Sequence, residues 1–172
     1  MRSITHRDVM RSVQLAGRVT RFHTWPMIRK PTTAEHQARV ATLYCKLWGI
    51  PRGEVLYYCL HHDNGELNGG DTPHYAKRDS PMLKEGTNRA EEAGLVYLGI
   101  TMPELTKIEF KRFKMADYLE MWETAVVERN MGNLYADPIM DNLRGSIAKL
   151  AEELCETNKI NSWIRINLPC LT

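Results

Sequence analysis

The chain has 172 residues, a length that fits one domain and leaves little room for a second core. Apolar residues make up 43% and charged residues 26%, as in ordinary soluble globular proteins. The net charge of +2 is too small for electrostatic binding of nucleic acid, although a local anion site stays open. No segment approaches the roughly 18 apolar residues of a membrane span, and the N-terminus lacks the apolar core of a secretory signal. We therefore expect a cytoplasmic protein without nucleic-acid or membrane partners.

Helical spacing of apolar residues dominates the first part of the chain. It predicts a helix over about residues 5–19. A capping-box sequence, TTAE, begins a second amphipathic helix that ends at Gly49. A third helix is predicted over about residues 51–62. The segment that follows, ELNGGDTPHYAK, is rich in glycine and polar residues and is predicted to be a loop.

The second part of the chain continues with helical spacing. It predicts helices over about residues 80–99, 104–129 and 137–156. The tail INSWIRINLP alternates in part and is predicted to be a short strand or an extended arm. No repeat or linker interrupts the pattern. The sequence therefore predicts one all-α domain over residues 1–172, with six to seven helices and a short extended C-terminal tail.

Two histidines lie on apolar helix faces. His36 precedes Val40 by one turn, and His62 follows Tyr58 by one turn, so both side chains should point inward. Each alone is more often a hydrogen-bonded core residue than a ligand. Asp63 directly follows His62 at the predicted helix end, where the backbone can unwind and bring both side chains to one point. A buried aspartate needs a partner or a cation.

Asp117 is a third element of the same pattern, a carboxylate on the otherwise apolar face of FKRFKMADYLEMW. One interpretation pairs it with a nearby lysine or arginine. The other combines it with His36, His62 and Asp63 into a divalent metal site that leaves positions for water and substrate.

The order of these residues resembles the H…HD…D signature of the HD phosphohydrolase superfamily. The blocks WPMIRKPTTAEH, LHHDNGELNGGDTPHYAK and KMAD resemble those of bacterial HD-type 5′-deoxynucleotidases. With its RFHT…EH opening, the chain more closely resembles the compact phage dATP triphosphohydrolases of the 2-aminoadenine genome pathway. The resemblance covers about residues 21–128 and implies an HD-type helical fold.

The resemblance also implies roles for charged residues outside the metal ligands. Glu66 corresponds to the catalytic carboxylate that manages the proton of the attacking water. Asp71 corresponds to a residue that contacts the sugar or orients the nucleophile. Lys77 and Lys114 correspond to phosphate-binding lysines. Without the resemblance, Glu66 would be a solvent-facing loop residue and both lysines ordinary surface charges.

The segment FHTWPMI is where the resemblance implies a nucleoside pocket. Trp25 would stand against the 2′ carbon of the sugar, so that a ribose hydroxyl would be desolvated without a partner. Met27 and Ile28 would close a purine pocket. The alternative is a hydrophobic plug that tethers this loop to the core.

Thr24 departs from the pattern of the bacterial 5′-deoxynucleotidases, which have an arginine immediately before the tryptophan. Arg21, His23 or Arg29 would have to supply that charge. The departure favours a triphosphohydrolase over a monophosphatase, because the arginine helps to hold a single phosphate.

The resemblance thus implies hydrolysis of dATP to deoxyadenosine and triphosphate, with one divalent transition metal per site (Zn, Co, Mn, Ni or Fe). A second Mg²⁺ arriving with the triphosphate is a further option. The alternative enzyme is a 5′-deoxyribonucleoside monophosphatase. An alarmone hydrolase fits less well, because those enzymes resemble an HDxxED pattern and here Leu67 follows Glu66. A non-catalytic sensor domain would not need the four metal ligands together with Glu66. A homo-oligomer, either a dimer or a trimer of dimers, is also implied, in the host cytoplasm if the protein is phage-encoded.

Overall fold

The structure is a computed structural model that describes residues 14–167. The helical residues 14–16 are followed by an irregular segment and then by seven α-helices and two short 3-10 helices. Their bounds are α1 Thr33–Trp48, α2 Gly53–His61, a 3-10 helix Asn64–Leu67, α3 His74–Asp79, α4 Pro81–Tyr97, α5 Lys107–Asn130, a 3-10 helix Leu134–Ala136, α6 Asp137–Glu153 and α7 Thr157–Asn167. The predicted all-α class is confirmed, since the described residues contain no strand beyond one isolated bridge between Thr20 and Thr32.

The predicted extended C-terminal tail is wrong where the structure describes it. Residues 157–167 form α7, with Ile160 fully buried and with Trp163 and Ile164 packed on the core. Spacings of three and four residues put these side chains on one helical face, so the partial alternation that suggested a strand did not decide the conformation. Residues 168–172 lie outside the described part of the chain.

Two other predictions need adjustment. The segment predicted to be a loop, residues 66–77, contains the second half of the first 3-10 helix and most of α3. These short helices escape a periodicity argument because each has only one or two turns. The predicted N-terminal helix lies largely outside the described residues, and its visible end is at Ala16, before a turn at residues 17 and 18.

The longest helix, α5, is the central element of the core. Its 24 residues span about 36 Å, and it packs against α1, α2 and α6. A capping box of Thr106 and Glu109 fixes its first turn, and a second box of Thr32 and Glu35 fixes the start of α1. These caps set the registers of the two helices that contribute most of the buried side chains around the candidate site.

The 3-10 helix after α2 is held against α4 by a close backbone approach. A Cβ on Gly65 would overlap the backbone carbonyl of Glu91, and a Cβ on Gly94 would lie 2.5 Å from the carbonyl oxygen of Gly65. Only glycine fits at either position, and this contact fixes the turn that carries Glu66. Within residues 14–167, none of the helices has the length and apolar character needed to cross a membrane.

Candidate metal centre

Three helical elements bring the predicted ligands together. His36 lies on the inner face of α1, His62 follows the last residue of α2, and Asp117 lies near the middle of α5. One ligand atom from each lies within 4.8 Å of the others. His36 Nε2 is 3.2 Å from Asp117 Oδ1 and 3.3 Å from His62 Nε2. The two imidazoles and one carboxylate therefore converge on a single point in the interior.

Asp63 joins this group from the turn after α2. Its Oδ2 atom is 3.4 Å from His62 Nε2 and 3.5 Å from His36 Nε2. The helical hydrogen bonding of α2 ends at His62, and Asp63 has φ −104° and ψ 5°, so the chain leaves the α-helix between them. This break lets adjacent side chains share a site that a straight helix would separate by about 100°.

The second nitrogen of each histidine is bound within the protein. His36 Nδ1 lies 2.5 Å from Glu120 Oε2, and His62 Nδ1 lies 3.0 Å from the carbonyl oxygen of Cys59. Carboxylate and carbonyl oxygens only accept, so both Nδ1 atoms carry hydrogen and donate. Both Nε2 atoms therefore face the cluster as the groups that would bind a metal, which is the usual arrangement behind metal-binding histidines.

Burial and neighbouring charges perturb the titration of these groups. Burial acts to lower the pKa of His36, but its contacts with Asp117 and Glu120 outweigh burial and raise that pKa to about 9. Burial acts to raise the pKa of Asp117, yet Lys114 and His36 hold it well below its ordinary value. The pKa of Asp63 is also lowered against the effect of burial, by His62 and Arg21. The carboxylates are thus ionised and suited to a cation.

Gln37 holds the turn that carries Asp63. Its side chain is buried beside His36. When its amide is oriented to satisfy both atoms, the oxygen accepts from the Asp63 N–H at 3.1 Å and the nitrogen donates to the Leu60 carbonyl at 3.0 Å. The same amide contacts Asn64 Oδ1. These bonds use backbone groups that the end of α2 leaves free, so they stabilise the break in the helix.

Glu66 is buried rather than solvent-facing, with 6% of its surface exposed. Its Oε2 atom accepts a hydrogen bond of 3.3 Å from the Thr33 hydroxyl, and its Oε1 atom lies 4.0 Å from Arg21. Burial, together with the charge of Asp63, raises the pKa of the Glu66 carboxyl above its ordinary value. A carboxyl of this kind beside the cluster is suited to carry a proton near neutral pH.

The predicted phosphate-binding lysines are each paired with a carboxylate. Lys114 Nζ lies 2.6 Å from Asp117 Oδ2, one helical turn away on the side of α5 that faces the cluster. Lys77 Nζ lies 2.8 Å from Glu91 Oε1, so it binds α4 rather than the cluster. Arg21 is buried and forms an ion pair with Asp63. All three cations would have to exchange or share these partners to reach a phosphate.

Asp71 binds the backbone of the preceding loop. Its Oδ2 atom accepts a 2.8 Å hydrogen bond from the Phe22 N–H. Phe22 has φ 52°, a conformation uncommon for residues other than glycine. This contact fixes the backbone of the residue that follows Arg21. Asp71 is therefore observed in a structural contact, with the loop rather than with a metal ligand.

The predicted nucleoside-pocket residues contact the C-terminal end of α5 and the turn that follows it. Trp25 is partly buried and donates from Nε1 to the Tyr135 carbonyl at 2.7 Å. Met27 is buried, while Ile28 is 58% exposed. The backbone N–H groups of Ile28 and Arg29 both donate to Glu128, at 2.7 Å. Since Glu128 follows Asp117 by 11 residues, the backbone of Arg29 is bound at a level about 16 Å along α5 from that ligand.

Glu120 and Gln37 were missed by the sequence argument. The sequence nevertheless indicates both residues. Glu120 follows Asp117 by three residues on the apolar face of α5, and Gln37 is adjacent to His36. A second carboxylate at this spacing is the kind of residue that supports a metal-binding histidine. Its partner could not be read from the sequence, since His36 lies 84 residues away.

Fold and site together define an all-α domain with an interior cluster of two histidines and two aspartates. No protein-family model and no curated protein sequence matches the chain. Among solved structures, the chain is similar to an HD-domain phosphohydrolase from Listeria innocua, with a TM-score of 0.69 and 18% identity over 95% of this chain and 88% of that one. The chain therefore has the fold of that HD-domain protein.

Proposed function

We propose that the protein is a metal-dependent phosphohydrolase whose metal is held by His36, His62, Asp63 and Asp117. The observation that carries the proposal is the convergence of both Nε2 atoms on the two carboxylates, while both Nδ1 atoms donate within the protein. The donor set of imidazole and carboxylate suits a divalent transition metal such as Mn, Fe, Co, Ni or Zn.

The residues around the cluster divide the chemistry of hydrolysis among them. A bound divalent ion would lower the pKa of a water molecule and polarise a phosphate oxygen. Glu66 takes the proton from the water as its oxygen attacks phosphorus, and a proton returns to the ester oxygen as the bond from phosphorus to that oxygen breaks. Lys114, already beside the cluster, and Lys77 stabilise the negative charge of the phosphate chain.

The substrate that we propose is dATP, hydrolysed at its α-phosphorus to deoxyadenosine and triphosphate. Support comes from the RFHT…EH and KMAD blocks of the sequence and from the absence of an arginine at Thr24. Trp25 and Met27 lie on one segment whose position is fixed by bonds to the far end of α5 and beyond. A fixed apolar wall of this kind can reject a ribose hydroxyl or an additional amino group.

A deoxyribonucleoside monophosphatase is the second candidate, and the position of Arg21 favours it. This arginine approaches both Asp63 and Glu66 from the loop before Trp25. It can therefore supply the cation that Thr24 does not, and hold a single phosphate beside the cluster.

One substrate panel separates the two candidates. The purified protein is assayed with dNTPs, dNMPs and rNTPs in the presence of several divalent metals, and the released phosphate species are resolved. We expect triphosphate from dATP and loss of turnover after chelation, with recovery when metal is returned. Faster hydrolysis of dAMP than of dATP would favour the monophosphatase, and full turnover after complete metal removal would contradict both candidates.

A further inference from the structure

A groove lined by several basic side chains lies between the C-terminal half of α5 and the outer face of α1. Its volume is about 220 Å³. Sites for drug-sized ligands usually measure about 300–1,000 Å³, so this groove suits a smaller molecule. Its charged lining residues are Arg29, Lys30, Glu35, Arg39 and Glu128.

The two acidic residues of the groove are already engaged by other donors. Glu35 Oε2 accepts from the backbone N–H and the hydroxyl of Thr32, at 2.8 and 3.1 Å. Glu128 accepts from the backbone N–H groups of Ile28 and Arg29 and from Asn133 Nδ2, each at 2.7 Å. Three hydrogen bonds occupy most of the acceptor capacity of Glu128. Neither carboxylate forms a direct ion pair in the groove, but both stay ionised, so three cations face two anions and the lining is positive by one charge.

The three cations form no ion pair with the carboxylates of the groove, although Arg29 and Arg39 are near enough to Glu35 to help lower the pKa of its carboxyl. Within the part of the chain that the structure describes, Arg29 and Lys30 form no ion pair. Arg39 is 3.7 Å from Glu120 Oε1, and that oxygen also accepts from Thr124 at 3.1 Å. Two guanidinium groups and one ammonium that line a small groove are the kinds of charged donor that bind a phosphate anion.

We propose that this groove binds inorganic phosphate or a short polyphosphate at a site separate from the metal cluster. Thr124 lies seven residues after Asp117 on α5, about 10 Å along the helix, and none of the four proposed metal ligands lines the groove. The proposed reaction would release an anion of this class, but binding in the groove does not depend on that reaction.

Binding is measured by calorimetry on the full chain, with orthophosphate and tripolyphosphate in separate titrations and metal content determined for each sample. The test variant is Arg29→Gln/Arg39→Gln. The control for net charge is Arg89→Gln/Arg144→Gln, which removes two exposed arginines elsewhere. Asp63→Ala is made together with Arg21→Gln, so that a ligand of the metal cluster is removed without leaving an unpaired arginine beside it, and the groove is isolated. Circular dichroism compares the folding of all variants.

We expect Arg21→Gln/Asp63→Ala to keep binding in the groove and the charge control to match the wild type. Arg29→Gln/Arg39→Gln should weaken groove binding about a hundredfold, since each charge-assisted contact contributes roughly tenfold or more. Tighter binding of tripolyphosphate than of orthophosphate would identify a polyphosphate site, and the reverse a phosphate site. Equal binding by the test variant and the charge control would overturn the proposal, as would loss of all binding in Arg21→Gln/Asp63→Ala. Either result is independent of whether the protein hydrolyses a nucleotide.

Discussion

The cluster of two histidines and two aspartates and the loop of residues 20–31 are built in different ways. The cluster consists of side chains on or next to α1, α2 and α5, and His36 and Asp117 are almost fully buried. The loop of residues 20–31 has irregular structure and is held by one hydrogen bond each to Asp71 and Tyr135, two to Glu128 and one from Asn133. The difference indicates that the proposed metal site is preformed, whereas Arg21 of the loop would have to leave or share Asp63 to bind an anion.

The largest expected effect is on the cluster itself. Asp63→Ala should abolish hydrolysis and lower bound metal, because water cannot replace an anionic ligand among four. Metal content by mass spectrometry and turnover are measured together, with Asp79→Ala as an exposed control. A fully active Asp63→Ala protein with normal metal content would remove the basis of the proposed function.

Glu66→Gln tests the carboxyl group that lies beside the cluster and 4.0 Å from Arg21 of the loop. The amide keeps the size and the hydrogen bond from Thr33 but cannot carry a proton, so kcat should fall on the order of 10²–10⁴-fold while metal stays bound. Parallel metal analysis decides the role. If metal is lost together with activity, Glu66 supports the cluster rather than the proton transfer.

Glu120→Gln tests whether the support behind His36 is part of the metal site. Loss of the carboxylate behind a metal-binding histidine should weaken metal binding about 10–100-fold. The matched control is Glu123→Gln on the same helix. Metal titration with a competing chelator measures the difference, and equal affinities in the two variants would show that Glu120 is only a core residue.

Trp25→Ala addresses selectivity on the loop side. If the indole desolvates a ribose hydroxyl, its removal should raise the ratio of ATP to dATP turnover by about ten- to a hundredfold, equivalent to roughly 1–3 kcal/mol. The measurement is kcat/KM on both nucleotides. Met27→Gly should instead raise the ratio of dGTP to dATP. Unchanged ratios in both variants would mean that this segment anchors the loop without contacting the nucleoside.

The smallest expected effect concerns the ion pair of Lys77. Glu91→Gln should free this lysine for the phosphate chain and lower KM a few-fold with little change in kcat, because a partly exposed ion pair contributes only about 0–1 kcal/mol. Glu92→Gln, on the exposed face of the same helix, is the control. A rise in KM would indicate that Glu91 orients Lys77 rather than competing for it.

The sequence by itself determined the helical class, the approximate positions of the long helices and the chemical types at the metal cluster. These follow from local rules, since apolar spacing predicts helices and His36, His62 and Asp117 interrupt apolar faces. The break of the helix at Asp63 could also be expected from the Asn64-Gly65 sequence that follows it.

Only the tertiary structure decided which groups contact one another. Glu120 supports His36 across 84 residues, Lys77 pairs with Glu91, and Arg29 lies in a groove of its own rather than at the cluster. Residues 157–167 form a helix that is stabilised by the packing of Ile160, Trp163 and Ile164 against the core. Partners of charged side chains and the conformation of marginal segments depend on burial by distant elements, and local propensity carries no information about that burial.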